Sequence, residues 1–302
     1  MRLVVHVSDF GWPIETTEIP GLLRDVAELT EAGGFDGIAV ADHLWSHPIM
    51  GGPETSCLEA YTTLTYLAAL TRSVRLMTPA TGAHFRHPAI LAKTVTTLDV
   101  LSGGRAWLGI GAGHYEEECT GLGVPFPPLT TRYELLEDAL EVCLRMWSGE
   151  QGTDAPYAGH HVTAQRMLNV PQSVRRPHPQ ILIAGVGERR TLPLVARYGD
   201  ACSLQPTPDI GRKLDVLRRC CDEAGTDFDR LERTCAFEFA AADGGPRTKE
   251  LLDRLQWLAD SGIDTVIGRV PGIEQRAPLE QLSRHVVPVA AAMKTRTREE
   301  KR

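Results

Sequence analysis

The chain has 302 residues, 42% hydrophobic and 24% charged, with a formal net charge of −7. This balance suits a globular protein with one large core, and its sign removes any general attraction to nucleic acid or to an anionic membrane surface. No apolar run approaches the roughly 20 residues that span a bilayer, and the opening MRLVVHVSDF lacks the basic-then-apolar plan of a signal peptide, so a cytoplasmic location is expected.

In chain order, the pattern predicts a strand at about Leu3–Val7 and a helix from Pro20 to Ala32. FDGIAVAD is the second strand, followed by a helix over Leu58–Leu70. VRLMT is the third, followed by Pro88–Val100, where Ile90, Leu91, Val95 and Leu98 recur at helical spacing. RAWLGI is the fourth, and its helix, Arg132–Trp147, comes after an insertion from His114 to Thr131. A Pro/Gly-punctuated stretch, Ser148–Pro179, holds a turn between short strands at Tyr157-Ala-Gly-His-His161. QILIAG and Glu188–Tyr198, DACSL and Pro208–Glu223, RTCAFEF and Lys249–Ser261, and DTVIG and Pro278–Ala291 complete the series.

Eight β-then-α units whose strands are short apolar runs imply a parallel sheet covered by helices. Over this length they fit a closed (β/α)8 TIM barrel, an α/β fold, better than an open doubly wound sheet. Residues 1–293 are expected to form one domain, with 294–302 a polar tail. The seven cysteines form no C-x-x-C pair, which suits a reducing compartment. His84-x-x-His87 and His160-His161 lie beside no cysteine pair or H-E-x-x-H helix, so no metal is expected.

A barrel places its chemistry where strands end. Asp42-His43 follows strand two, Thr78-Pro79-Ala80 strand three, Gly111-Ala112-Gly113-His114 strand four, Ala184-Gly185-Val186-Gly187 strand five, and Gln205 strand six. An imidazole exchanges protons near neutrality and an adjacent carboxylate helps to orient it. Taken alone, though, Asp42-His43 also reads as a surface-loop pair capping the next segment. Gly109-Ile-Gly-Ala-Gly113 fails the dinucleotide fingerprint, because His114 follows and no helix starts cleanly there. Gly185-Val186-Gly187 opens directly into a helix and offers backbone N–H groups to an anion. Arg189 and Arg190 either add charge there or form a solvated helix face.

These residues carry a resemblance. With Asp42-His43 upstream, His84–Gly113 looks like the luciferase-like (β/α) barrel oxidoreductases, especially the branch using the deazaflavin coenzyme F420. The likeness runs from Leu3 to about Pro288 and is dense in GFDGIAVADH, in RRPHPQILIAGVGERRTLPLVARYGDA and in the Tyr133–Trp147 helix.

The resemblance implies an F420-dependent oxidoreductase that moves hydride between the deazaflavin and a small organic substrate, reducing a C=C or C=N bond. His43 would be catalytic. Cofactor contacts would come from Asp42, Thr78, Pro79, Ala80, Gly111, Ala112, Gly113, Ala184, Gly185, Val186, Gly187 and Gln205. It also implies a homodimer and a bulge that supports the ring from behind, whose cis peptide, non-prolyl in relatives, would fall at Thr78–Pro79, where the alternative is an ordinary trans proline ending the strand.

The chain departs from the sugar-phosphate dehydrogenase branch. It has His114 where that branch has glutamate and His47 where it has tryptophan, with Trp45 nearby. That argues against glucose 6-phosphate. Asp9, Phe10 and Trp12 are expected at the barrel mouth, so Asp9, Phe10, Trp12, Trp45, His47 and His114 make up the expected substrate pocket. Two alternatives keep the fold: an FMNH2-dependent monooxygenase sheltering its flavin under Ser148–Pro179, and a flavin-binding barrel without catalysis.

Overall fold

The computed structural model of the chain describes residues 1–8, 10–239 and 243–295. Asp9 and the end of the tail from residue 296 lie outside them. Eight parallel strands pair in chain order: β1 (Arg2–Val7), β2 (Gly37–Val40), β3 (Arg75–Met77), β4 (Ala106–Gly111), β5 (Gln180–Ala184), β6 (Ala201–Leu204), β7 (Glu232–Glu238) and β8 (Thr265–Arg269). Arg2 faces Thr265 and Val5 faces Gly268, so β8 closes on β1 and the sheet is a TIM barrel.

Each strand is followed on the outside by helix: α1 (Ile19–Ala32), α2 (Ala60–Leu70), α3 (Pro88–Ser102), α4 (Glu116–Leu122) and α5 (Leu129–Met146), then α6 (Thr191–Tyr198), α7 (Ile210–Ala224), α8 (Pro246–Ser261), α9 (Ala277–His285) and α10 (Val287–Ala292). The strands' outer side chains and the helices' inner stripes form one large apolar cluster, the burial that drives closure. None of the helices among the described residues is long and apolar enough to cross a membrane.

Several boundaries differ from expectation. The single last helix is two, meeting at Val286. The helix after β5 starts at Thr191 rather than Glu188, because residues 188–190 form a turn first. The His114–Thr131 insertion contains α4, which a stretch of three glutamates had concealed. In the longer insertion, Tyr157–Ala158 pairs with Thr163–Ala164 and Gly152–Thr153 with Met167–Leu168. The buried carboxylate of Asp138 on α5 anchors that excursion. It accepts hydrogen bonds from the backbone N–H groups of His160 (2.9 Å), His161 (2.7 Å) and Val162 (3.0 Å) and from the Tyr157 hydroxyl (2.7 Å).

Inside the barrel, Val4, Ala39, Met77, Trp107, Leu182, Ala201 and Ile267 form a separate apolar plug. Arg75, whose guanidinium lies 4.6 Å from the Trp107 ring and bonds Glu232 at 3.0 Å, closes the N-terminal end below it. Inward side chains recur every second residue along a strand. Two positions beyond the plug lie His6, Ala41, Pro79, Gly109, Ala184, Ser203 and Arg269. That layer is almost entirely small, so the barrel is hollow above its plug, at the ends where its strands stop.

Candidate active site

The hollow is a cavity of about 540 Å³, within the range of ligand sites. Its wall combines Asp42, His43, Pro79, Ala80, Gly111, Ala112, Gly113, Ala184, Gly185 and Gln205 with His47 and His114. Residues from the ends of five strands and their loops thus meet in one place, as the strand-end argument anticipated. Thr78 is fully buried behind the wall, and Val186 and Gly187 lie beyond it.

His43 is held by a residue that the sequence reading did not single out. Its Nδ1 lies 3.1 Å from a carboxylate oxygen of Glu118 on α4, and Glu118 is wholly buried. The other oxygen of Glu118 accepts hydrogen bonds from the backbone N–H groups of Leu44 and of Trp45, the latter at 2.8 Å. Burial pushes the Glu118 carboxyl up, but the bonds from His43 and the two amides outweigh it and the net shift is down. Glu118 is therefore an anion at neutral pH. The carboxylate orienting His43 is not its neighbour Asp42, as the sequence suggested, but one 75 positions away.

Asp42 is engaged elsewhere. Arg86 grips its carboxylate at 2.6 and 2.9 Å and also bonds Glu59 at 2.7 Å. This fork–fork geometry fixes both groups. The Arg86 guanidinium covers the Tyr61 ring at 5.0 Å. From Tyr61 a buried chain of hydrogen bonds runs to Thr81 (2.7 Å), on to Thr78 (3.3 Å) and then to the Gly109 carbonyl (2.9 Å).

Strand β3 leaves the sheet at Thr78–Ala80 and pairing resumes at Thr81–Gly82 against Ile110–Gly111. The expected bulge is present, but its Thr78–Pro79 bond is trans; the cis prolyl bonds among the described residues are Val170–Pro171 and Arg176–Pro177. The close approach comes instead from Gly109, where an added Cβ would lie 1.8 Å from the Thr78 carbonyl oxygen.

Three imidazoles and a phenol cluster at the mouth. Ring centroids of His43 lie 5.7 Å from His47 and 5.6 Å from His114, and Tyr115 is 4.9 Å from His47. Burial, then the nearby His43, pushes His47 and His114 down, so both are neutral near pH 7. Among the described residues no group of three or more His, Cys, Asp or Glu is arranged to hold a metal ion.

Helix α4 is further fixed by Cys119, whose sulfur lies 3.2 Å from His84 Nε2. That imidazole lies against Gly113, which has φ of +78° and no room for a Cβ. Burial and Arg132 push His84 down to about 4.

Three aromatics expected in the substrate pocket are not on this wall. Phe10 and Trp12 pack edge to face at 5.2 Å, and Trp12 roofs a separate cavity of about 180 Å³. The Trp45 ring lies on Gly121 of α4. Phe10 and Trp12 are both buried, Phe10 with its backbone N–H bonded to the Ser56 carbonyl at 3.2 Å and Trp12 on the wall of that smaller cavity. At the Gly185–Gly187 loop, Lys213 bonds the Val186 carbonyl at 3.2 Å and Glu188 at 2.7 Å. Arg189 and Arg190 instead line a mixed-charge depression beside Tyr133 and Glu134.

Among residues the sequence reading passed over, Glu118 carried one signal: it falls between Tyr115, the cap of a short helix, and Cys119 within it, both of apolar character and both buried. His6 carried another, its shared strand parity with the buried Val4.

The sequence profile of the family described as luciferase-like monooxygenase matches residues 1–299. A curated relative, the F420-dependent glucose-6-phosphate dehydrogenase of Tsukamurella paurometabola, is 27% identical over 228 residues, 71% of this chain and 63% of its own. The chain thus spans less than two thirds of that dehydrogenase's length. Among solved structures, a monooxygenase from Streptomyces bottropensis superposes with a TM-score of 0.77 at 22% identity, covering 95% of this chain and 99% of its own. An F420-dependent secondary alcohol dehydrogenase bound to an F420–acetone adduct does so at 0.78 and 16%, covering 96% and 98%.

Proposed function

The chain belongs to the luciferase-like monooxygenase family, and from that premise we propose that it is a coenzyme F420-dependent oxidoreductase reducing a C=C or C=N bond of a small organic substrate. The observation that carries this reading is His43, clamped by Glu118, facing a cavity whose strand-end wall at Pro79, Ala80, Gly111, Ala112, Gly113, Ala184 and Gly185 offers small residues to a flat ring. The names of the relatives that bind F420 support the cofactor.

The residues present fit a flat tricyclic ring. At Gly111 an added Cβ would crowd the Ala184 carbonyl at 3.2 Å, so the wall there presents only backbone. Pro79, Ala80, Gly111, Ala112 and Gly113 would hold the ring on one side and Ala184 and Gly185 on the other, with Thr78 supporting from behind. Gly185, Val186 and Gly187, with Lys213 beside them, would take the phosphate end. Gln205 and Asp42 would bound the ring's edge. When bound, F420 supplies hydride exchange at its deazaflavin C5.

His43 supplies the proton. With its Nδ1–H donated to the Glu118 carboxylate, its Nε2 is the atom left to face the substrate. Nε2 carries the proton in the imidazolium form and, after giving it up, is a lone-pair acceptor that solvent recharges. The Glu118 carboxylate fixes the ring's direction and tautomer. Replacing Glu118 with glutamine keeps an acceptor for the amides but removes that charge. Turnover is expected to fall roughly 10–100-fold with KM for the substrate and Kd for F420 within about twofold of wild type. A parallel loss of F420 affinity would instead make Glu118 a scaffold residue.

The test of the reading is an anaerobic titration with F420 and with FMN, followed by fluorescence. Tighter F420 binding, then oxidation of F420H2 by enones or imines, is the expected result. Preference for FMN, with oxygen uptake on adding FMNH2, would replace the reading with an oxygen-activating one.

A further inference from the structure

The layer above the barrel plug is built from Ala, Gly, Pro and Ser, with two exceptions, His6 and Arg269. His6 Nε2 is buried and has no hydrogen-bond partner. Such an atom costs free energy unless something bonds it. His6 and Arg269 belong to the walls of both cavities, the large one and the pocket of about 180 Å³ beneath Trp12. They stand where the two spaces meet.

Charge narrows what fits. The formal charges on the wall of the large cavity are Asp42 and Arg269, and each already faces a protein partner, Arg86 and Glu238 respectively. Burial, with Arg269 and His43 nearby, pushes His6 down to about 4, so it is a neutral imidazole at working pH. A neutral donor–acceptor among balanced charges suits an uncharged polar group and disfavours a phosphate or carboxylate.

We propose that His6 is a substrate-binding residue, whose Nε2 hydrogen-bonds an uncharged oxygen or nitrogen, of the carbonyl, imine or hydroxyl class, on a substrate extending from His43 towards the pocket beneath Trp12. This rests on the F420 reading for the reaction, though not for the contact itself. His6 orients the substrate, while the proton comes from His43.

F420 is titrated first, into wild-type, His6→Leu and His6→Gln proteins. Equal affinity in all three is expected; a loss confined to the His6 variants assigns the residue to the cofactor and overturns the proposal. If wild type takes no F420, the cofactor reading fails, and the next step is run on FMN-loaded or free protein. A panel of small neutral enones, ketones and imines, with sugar phosphates as the charged comparison, is then screened for binding.

Compounds that bind wild type are expected to lose about tenfold in affinity with His6→Leu, the worth of one neutral hydrogen bond. His6→Gln, which offers an amide at the reach of Nε2, should recover most of it. Unchanged affinity in His6→Leu, binding of sugar phosphates in preference, or no neutral binder at all overturns the proposal. Should His6→Leu not fold, ¹⁵N NMR of histidine-labelled wild type reads the same contact: the His6 Nε2 resonance moves when a neutral ligand is added, and a static resonance with ligand bound rules it out.

Discussion

Replacing His43 with alanine is expected to lower single-turnover reduction by F420H2 about 10²–10⁴-fold, the usual worth of a positioned acid–base group. The effect should fall on the chemical step. His43 is only one of many residues on the wall, so F420 affinity should change little. Stopped-flow oxidation of pre-bound F420H2 separates the two. A rate within threefold of wild type at full cofactor occupancy would remove His43 from proton transfer. The neighbouring imidazoles do not replace it, because neither His47 nor His114 is paired with a buried carboxylate in the structure, and burial holds both neutral.

Gly109→Ala is expected to be the most damaging change of a single methyl group in the molecule. The added carbon would lie 1.8 Å from the Thr78 carbonyl oxygen and 2.8 Å from its carbon, both backbone atoms. No side-chain rotation relieves that clash, so the Thr78–Ala80 segment has to move. We expect a loss of about 3 kcal/mol and at least tenfold weaker F420 binding. Gly103→Ala is the control: Gly103 has φ of +71° but open space around it, so it bears backbone strain alone, about 1 kcal/mol. Denaturant melts of the two variants, with F420 titrations at low denaturant, check the contrast. Equal costs would mean that packing at the bulge is unimportant.

Local pattern carried the fold far. Runs such as GIAV and AWLGIG are buried throughout, as parallel strands must be, and eight of them alternating with amphipathic helices leave little choice but a closed barrel. The strand-end positions followed from the barrel, which is why Pro79, Gly111 and Ala184 could be placed beside one another on the cavity wall. What escaped was long-range pairing. Asp42 adjoins His43 in sequence, yet adjacent side chains diverge; Asp42 turns to Arg86, and His43 to Glu118, whose three-glutamate context looks like solvated surface. Phe10 and Trp12 lie off the large cavity's wall for a related reason. Chain order set them at the rim, but the direction in which a loop folds depends on contacts no local pattern encodes. His6 was hidden by its setting, a polar residue inside an apolar strand.

The Glu118 clamp lies on a helix of only seven residues, Glu116–Leu122, in the insertion between β4 and α5. Short exposed segments open far more readily than barrel strands. Its opening would release the amides of Leu44 and Trp45 together with the His43 ring, leaving the barrel intact. Loss of activity in mild denaturant would therefore precede loss of secondary structure, and the enzyme's working range would be set by about two turns of helix and not by the stability of its fold.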